Sequence, residues 1–443
     1  MQSHSRTRRF LGGVLLLLLL LGSVASASAQ QGTSLELIPL LTNLLETDES
    51  VQAAQAAYDS AMLQVDAARG GWLPKVDATA EGGYEQIQYS KGKPGTDKLR
   101  NQETLTIKQL IYDFGSTGGT IRVYEAMSNE ALASLEQARQ IALYKGVSAY
   151  LTLIRYREML KYLDQSERSM KELSGIQEAL VRRGSGISPD ELRVKAQLAS
   201  VMGEKLRAEQ QYRHALHNFK AVFNREITNA EVDTLVLPRL PDRFLPQSES
   251  AAVDFALETN PTLLQLMQAV ERSKHIVSIQ EAKFYPTFEL VSESQRKEQD
   301  QSAEGVRTEQ RVTVQMTYNL YDGGADLDAV RAAKKDVTSV KKTVLDRRDS
   351  VEEGVRNAWS DMLIVLEQAK QYENQTNITF EYLSQLKRIQ AAGGDVDLTT
   401  ILIGEKDYIS ATSAMVTTQI DHIIAAYTLL FQMGNLTPQS VQM

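Results

Sequence analysis

Two histidines, His214 and His217, stand three residues apart, a spacing that places both imidazoles on one face of a helix, where they could share a divalent metal. A zinc site needs at least three protein ligands, and no third ligand stands near them in the sequence, so the pair reads as surface residues. Gly323-Gly324 is no phosphate loop, because the GxxxxGKS/T pattern is missing around it. The chain has no cysteine, which removes disulfides, thiolate metal sites, cysteine nucleophiles and any lipid anchor on a cysteine. Neither a Ser-His-Asp arrangement nor a catalytic pair of carboxylates is evident. These residues point away from an enzyme and call for no cofactor and no metal.

What recurs instead is an architectural motif. Val312, Val314, Met316, Tyr318 and Leu320 alternate with Thr313, Gln315, Thr317 and Asn319, the period of a strand with one apolar and one wet face. Tyr321-Asp322-Gly323-Gly324 then ends the strand with turn residues. Earlier, Leu105 to Tyr112 runs into Asp113-Phe114-Gly115 in the same way. A strand that closes on Tyr-Asp-x-Gly and opens a long helix thus occurs twice.

The first residues carry Arg6, Arg8 and Arg9, then an almost unbroken leucine stretch from Leu11 to Leu21, then Ala27-Ser28-Ala29. This is the n-region, h-region and small-residue cleavage site of a secretory signal, with cleavage expected before Gln30. The apolar stretch is shorter than the ~20 residues of a membrane span, and no later segment reaches ~18 apolar residues. Removing residues 1–29 leaves 45 basic against 56 acidic side chains, a formal charge of −11. An exported, acidic chain is a poor nucleic-acid binder, so none is expected as a partner.

Proline placement predicts the helices. None of the ten prolines lies between Pro94 and Pro189 or between Pro286 and Pro438. Because proline breaks helix interiors, those gaps admit helices over 120–183 and 325–392, ~96 Å and ~102 Å long at ~1.5 Å per residue. Leu143, Val147, Tyr150 and Ile154 form an apolar stripe on the first, and Val337, Val340, Val344, Val351, Val355, Met362 and Leu366 on the second, which suits helix-on-helix packing. Each helix ends at a glycine turn. Arg182-Arg183-Gly184-Ser185-Gly186-Ile187-Ser188-Pro189 makes the first, with Ser188 expected as the next N-cap. Ala392-Gly393-Gly394-Asp395-Val396-Asp397 makes the second, with Asp397 as the cap. Returning helices follow over Pro189 to Phe223 and Leu398 to Met433, so each half contains a helical hairpin.

The halves form an internal repeat. Glu46 to Pro74 matches Glu258 to Pro286 at an offset of 212, while Asp113 and Asp322, like Gly184 and Gly393, are 209 apart. The expected organisation is a signal peptide over 1–29, a first repeat over 30–223, a linker over 224–250, a second repeat over 251–437 and a tail over 438–443. Strands are expected at about 76–89 and 103–113 in the first repeat and at about 287–294 and 309–321 in the second. Pro74 and Pro286 precede the first strand of each pair. Four strands cannot close a barrel, for which ~8 is the smallest common number, so either the sheet is soluble or several copies pool their strands. Aromatics near the strand ends, among them Tyr84, Tyr112, Phe284, Tyr285 and Tyr321, suit the girdles of an outer-membrane barrel.

Taken together, the signal, the tandem repeat, the Tyr-Asp-Phe-Gly and Tyr-Asp-Gly-Gly strand ends and the two proline-free hairpins resemble the TolC-type outer-membrane efflux protein family, over essentially the whole mature chain. The resemblance implies a mainly α chain with a small β part, assembled as a homotrimer whose strands make one 12-stranded barrel in outer-membrane lipid, continued by a periplasmic α-helical barrel. It implies a passive conduit that docks on a periplasmic adaptor and an inner-membrane pump of the ABC or RND type. The strand ends and the missing lipidation cysteine resemble the branch serving type I protein secretion. By the same resemblance, Arg182, Arg183, Gly184, Gly186, Ile187 and Ser188, with Gly393, Gly394, Asp395, Val396 and Asp397, form the periplasmic entrance and adaptor contact. Tyr112, Asp113, Gly115, Tyr321, Asp322, Gly323, Gly324, Pro74 and Pro286 mark the barrel-to-helix transition. Opposite charges on the two tips suggest pairing of Arg182 or Arg183 with Asp395 or Asp397 in a closed entrance. The family's acidic ring just past the second tip falls on Thr399 and Leu402 here, neither of them acidic. A secreted or periplasmic coiled-coil scaffold or adhesin is the alternative; it explains the helices but not the matched strands.

Overall fold

The computed structural model of the chain describes residues 36–88, 90, 96–298, 305–394 and 396–441. The signal segment, most of the loop carrying Lys91 and Lys93, and Asp395 lie outside the described residues.

The first half runs α1 (Leu37–Thr47), α2 (Glu49–Arg69), β1 (Lys75–Ile87), β2 (Thr96–Tyr112), α3 (Ser116–Arg182) and α4 (Ser188–Phe223). After a short α5 (Asn229–Asp233), the second half repeats the order with α6 (Glu249–Thr259), α7 (Pro261–Ala282), β3 (Thr287–Glu298), β4 (Val306–Thr317), α8 (Ala325–Ala391) and α9 (Leu398–Met433). Corresponding helices match in length. α1 and α6 have 11 residues each, α3 and α8 have 67 each, and α4 and α9 have 36 each. Sequence reading leaves α1 and α6 unassigned, although they lie 212 residues apart, the offset already visible around them. Each is cut from the next helix by a capping residue in extended conformation. Asp48 Oδ1 accepts from the backbone N–H groups of Ser50 and Val51 at 2.9 and 3.0 Å, and Asn260 Oδ1 accepts from Thr262 at 3.0 Å.

The long helices pack as antiparallel hairpins, α3 on α4 and α8 on α9. Their buried residues recur every seventh position: Val194, Val201, Ala208 and Ala215 on α4; Val355, Met362, Ala369, Thr376 and Leu383 on α8; Leu402, Ile409, Val416, Ile423 and Leu430 on α9. A strict seven-residue repeat is shorter than two turns of a straight helix and imposes a left-handed supercoil. The valines at 337, 340, 344 and 351 are only half-buried.

The hairpins meet along α3 and α9. Gln140 Nε2 donates to the Gly434 carbonyl (2.6 Å), Tyr144 bonds Thr428 (3.1 Å), Arg155 pairs with Asp421, and Ser169 Oγ donates to Glu405 (2.8 Å). The partners' numbers add to 574, 572, 576 and 574, the signature of two antiparallel helices held in one register over about thirty residues. Leu143, Val147, Tyr150 and Ile154 fill this seam together with Val416, Ile420, Ile423 and Tyr427.

The strands form one antiparallel sheet in the order β1-β2-β3-β4. Its register sorts side chains by face. Val76, Ile107, Ser292 and Val312 lie in one row across the sheet, and Leu290 pairs with Val314 on the same face. On the other face Asp77, Thr106, Glu293 and Arg311 form a row, as do Glu81, Gln102, Lys297 and Arg307. β4 ends at Thr317, earlier than the alternation through Leu320 suggests. Thr317 pairs with Thr287, the first residue after Pro286, whose missing N–H ends the ladder.

Candidate channel entrance and barrel-to-helix transition

At the junction of sheet and helix, Asp113 is buried and its carboxylate spans the turn. Oδ1 accepts from Gly115 N–H (3.2 Å) and Oδ2 from Thr117 N–H (2.6 Å) in the first turn of α3. In the second repeat Asp322 Oδ2 accepts from Asp326 N–H at 2.9 Å, again four residues ahead. The aspartate of the Tyr-Asp-x-Gly motif is therefore a helix-opening group, satisfying amides that have no partner within the helix and placing negative charge at the positive end of its dipole.

The residue between differs for a physical reason. Phe114 and Gly323 both occupy the left-handed region, at φ 53° and 79°. Glycine does so without penalty, whereas phenylalanine needs compensation. It is found in aromatic contact: Phe114 stacks on Tyr285 at 4.8 Å between centroids and meets Tyr112 edge-on at 4.7 Å. This trio ties the end of β2 to the residue before Pro286, so the first junction also fastens one repeat to the other. Alanine at Asp113 is expected to cost about 1–2 kcal/mol and at exposed Asp322 about 0.5–1 kcal/mol, read as loss of thermal stability of the assembled protein. Equal losses at the two sites would argue against the difference in burial.

The other ends of α3 and α8 make the two hairpin tips. Gly184 and Gly393 each continue the chain at positive φ, 71° and 80°. Behind them the chain folds onto the last helical turn: a Cβ on Gly186 would lie 3.0 Å from Leu180 Cβ, and one on Gly394 only 2.5 Å from Ile389 Cγ2. Ser188 is already inside α4; its N-cap is Ile187, with no side-chain hydrogen bond, so the cap expected at Ser188 lies one residue earlier. The Asp190 N–H reaches back to the Ile187 carbonyl at 3.2 Å and starts the helix there. Asp397 is the N-cap of α9, again without a side-chain bond. Ile187 is exposed, while Val396 packs against the core between the hairpins.

Among the described residues, which do not include Asp395, Arg182 is not paired with the second tip. It pairs with Glu178 one turn back on its own helix, and this contact holds the Glu178 carboxyl below its usual range. Near the tips, Arg193 Nη1 donates to Thr399 Oγ1 across the hairpins at 2.6 Å. Sequence reading singled out Thr399 as a place where acid is missing, but had no signal for Arg193, because the contact crosses 206 residues. His214 and His217 are exposed on α4 beside Glu209 and Arg213.

A family model described as outer membrane efflux protein matches residues 40–225 and 252–430, one segment per repeat. Outer membrane efflux protein BepC of Brucella suis biovar 1 (strain 1330) is 22% identical over 352 residues, covering 79% of this chain and 75% of BepC. Among solved structures, the outer-membrane channel OprN superposes with a TM-score of 0.79 at 18% identity, covering 90% of each chain. The outer membrane protein VceC of Vibrio cholerae superposes with a TM-score of 0.77 at 15% identity, covering 90% of this chain and 96% of that one.

Proposed function

The chain belongs to the outer membrane efflux protein family, and from that premise we propose that it is the outer-membrane channel of a tripartite export system. In this reading it is exported after cleavage before Gln30 and assembles as a homotrimer. Three four-stranded sheets join into a 12-stranded barrel in outer-membrane lipid, and the four long helices of each copy continue it as a periplasmic tunnel about 100 Å long, the length of α3 and α8 at ~1.5 Å per residue. A periplasmic adaptor and an inner-membrane pump of the ABC or RND type supply the cargo and the energy. The cargo class, a secreted protein or small effluxed compounds, follows the pump.

The observation that carries this reading is the sheet. Among the described residues nothing covers its apolar face: Val312 and Val314 are 69% and 65% exposed, and Leu99 is 70% exposed. Its edge strands β1 and β4 are paired on one side only. In water such a sheet invites aggregation, and in lipid its edges must close, which fits a barrel shared among copies. The charged rows of the opposite face suit a wet lumen. A coiled-coil scaffold would use the helices and leave this sheet without a purpose.

Outer-membrane fractionation and heat-modifiable migration test the assembly. The entrance is tested by the double variant Arg182→Ala/Arg183→Ala, which removes the cations of the first tip. If they help hold the entrance closed across subunits, single-channel conductance in planar bilayers rises; unchanged conductance contradicts a role for them in closure.

A further inference from the structure

The two repeats have the same helices but do not use the same faces. Inside the chain, α3 packs on α9 in a register where paired residue numbers add to 572–576. α8 follows α3 at an offset of 209, and α4 precedes α9 by 210, so the same seam built from α8 and α4 would pair residues whose numbers add to about 573. Among the described residues α4 packs on α3 and α8 on α9, while α4 and α8 form no packed pair.

Both helices nevertheless carry the apolar residues of such a seam. Leu192 and Leu206 on α4 are each 64% exposed, whereas their counterparts on α9, Leu402 and Val416, are 7% and 5% exposed. On α8, Leu363 and Tyr382 are each 47% exposed, whereas their counterparts on α3, Ile154 and Leu173, are 1% and 8% exposed. Apolar residues scattered singly over a surface are ordinary. Four that coincide with buried positions of the other repeat, on the two helices left without each other, form a seam that lacks its second half.

We propose that α8 of one copy packs against α4 of the next, in the register that α3 and α9 hold within each copy. This rests on the trimer reading above and adds which surfaces meet, and where. Tyr382 falls level with Leu192, at a sum of 574, and Leu363 with Gln210, at 573. Glu353 falls level with Lys220, also at 573, so an acid faces a base. Lys220 holds Glu226 within its own copy, with its side chain still 57% exposed to meet a second acid. A contact between two different faces is head-to-tail. Each copy offers α8 on one side and α4 on the other, and the series of contacts ends only by closing into a ring. Three copies then give six like seams, three within copies and three between them. The seams between copies are the more polar, with Gln210 and Arg213 where α9 has Ile420 and Ile423.

The chain has no cysteine, so introduced pairs report without background. Leu192→Cys/Tyr382→Cys is made in the full mature protein, oxidised in detergent micelles after its oligomeric mass is determined, and read on non-reducing denaturing gels. The expected result is a shift from the mass of one chain to those of two and three, reversed by reductant, with each single variant remaining at one chain. Leu192→Cys/Leu363→Cys lies 19 residues out of register, ~28 Å along the helix, and should also remain at one chain. Should the first pair fail to assemble, Gln210→Cys/Leu363→Cys reads the same register further from the tips. A trimer in which neither in-register pair cross-links, or in which the out-of-register pair does, overturns this seam while leaving the trimer standing, and frees these faces for another partner. A protein that is monomeric by mass overturns the trimer and the seam together.

Discussion

Val312→Arg is expected to abolish accumulation of the assembled protein in the outer membrane. Val312 stands midway along β4 on the apolar face, in one row with Val76 and Ile107. An arginine facing lipid near mid-membrane costs about 2–4 kcal/mol. In the proposed trimer, three copies in one barrel would multiply this to roughly 6–12 kcal/mol, comparable with the whole stability of many folded domains. Thr313→Arg, one residue on, places the same charge on the face that already carries Arg311 across from Glu293, and is expected to assemble. The comparison is read as heat-modifiable trimer in outer-membrane fractions. Equal assembly of the two variants would show that this face does not meet lipid.

Tyr150→Ala should have the largest effect on the helical part. Tyr150 is fully buried at the seam between the hairpins, and its hydroxyl donates to the Val236 carbonyl (2.8 Å) and accepts from the Val236 N–H (3.2 Å). It thereby fastens the segment between the repeats to α3. Removing the ring is expected to cost about 3–5 kcal/mol, as for other large aromatics in cores. Tyr150→Phe keeps the packing but orphans Val236, at about 1–3 kcal/mol. The same residue gives an alkaline signature. Burial pushes its phenol up to about 12, outweighing the opposing pull of the Val236 bond and Arg157. Because the folded value lies above the unfolded one, its contribution is complete below pH ~10 and is lost as pH rises toward 12, by about 2–3 kcal/mol in all. Thermal unfolding between pH 8 and pH 11 reads this. Tyr427 is shifted in the same direction by burial, so Tyr150→Phe should flatten part of the alkaline decline. An unchanged decline would show that Tyr150 is not the group responsible.

The long helices were legible because proline exclusion and glycine turns act locally. Both 67-residue helices end within a residue of the limits that Gly184 and Gly393 suggest. The strand-to-helix junctions were legible as a repeated motif, but not their chemistry. Nothing in Tyr-Asp-x-Gly says that the carboxylate reaches four residues forward, or that Phe114 tolerates positive φ by stacking on Tyr285. Contacts distant in sequence left no trace at all: Arg193 with Thr399 and Ser169 with Glu405 join residues more than 200 positions apart. Local pattern also overran β4, whose end is set by Pro286 on the neighbouring strand and not by its own alternation. At the tips, opposite charge suggested partners for Arg182 across the entrance, whereas the contact found for it among the described residues is Glu178, four residues away on the same helix, a pairing that helix spacing alone allows.

The most direct measurement is the conductance of the purified mature protein in a planar bilayer, with its oligomeric mass determined in the same preparation. A trimer that inserts and gives discrete conductance steps, small in the parent and larger in Arg182→Ala/Arg183→Ala, is the expected result. A soluble monomer with no bilayer activity would contradict the conduit.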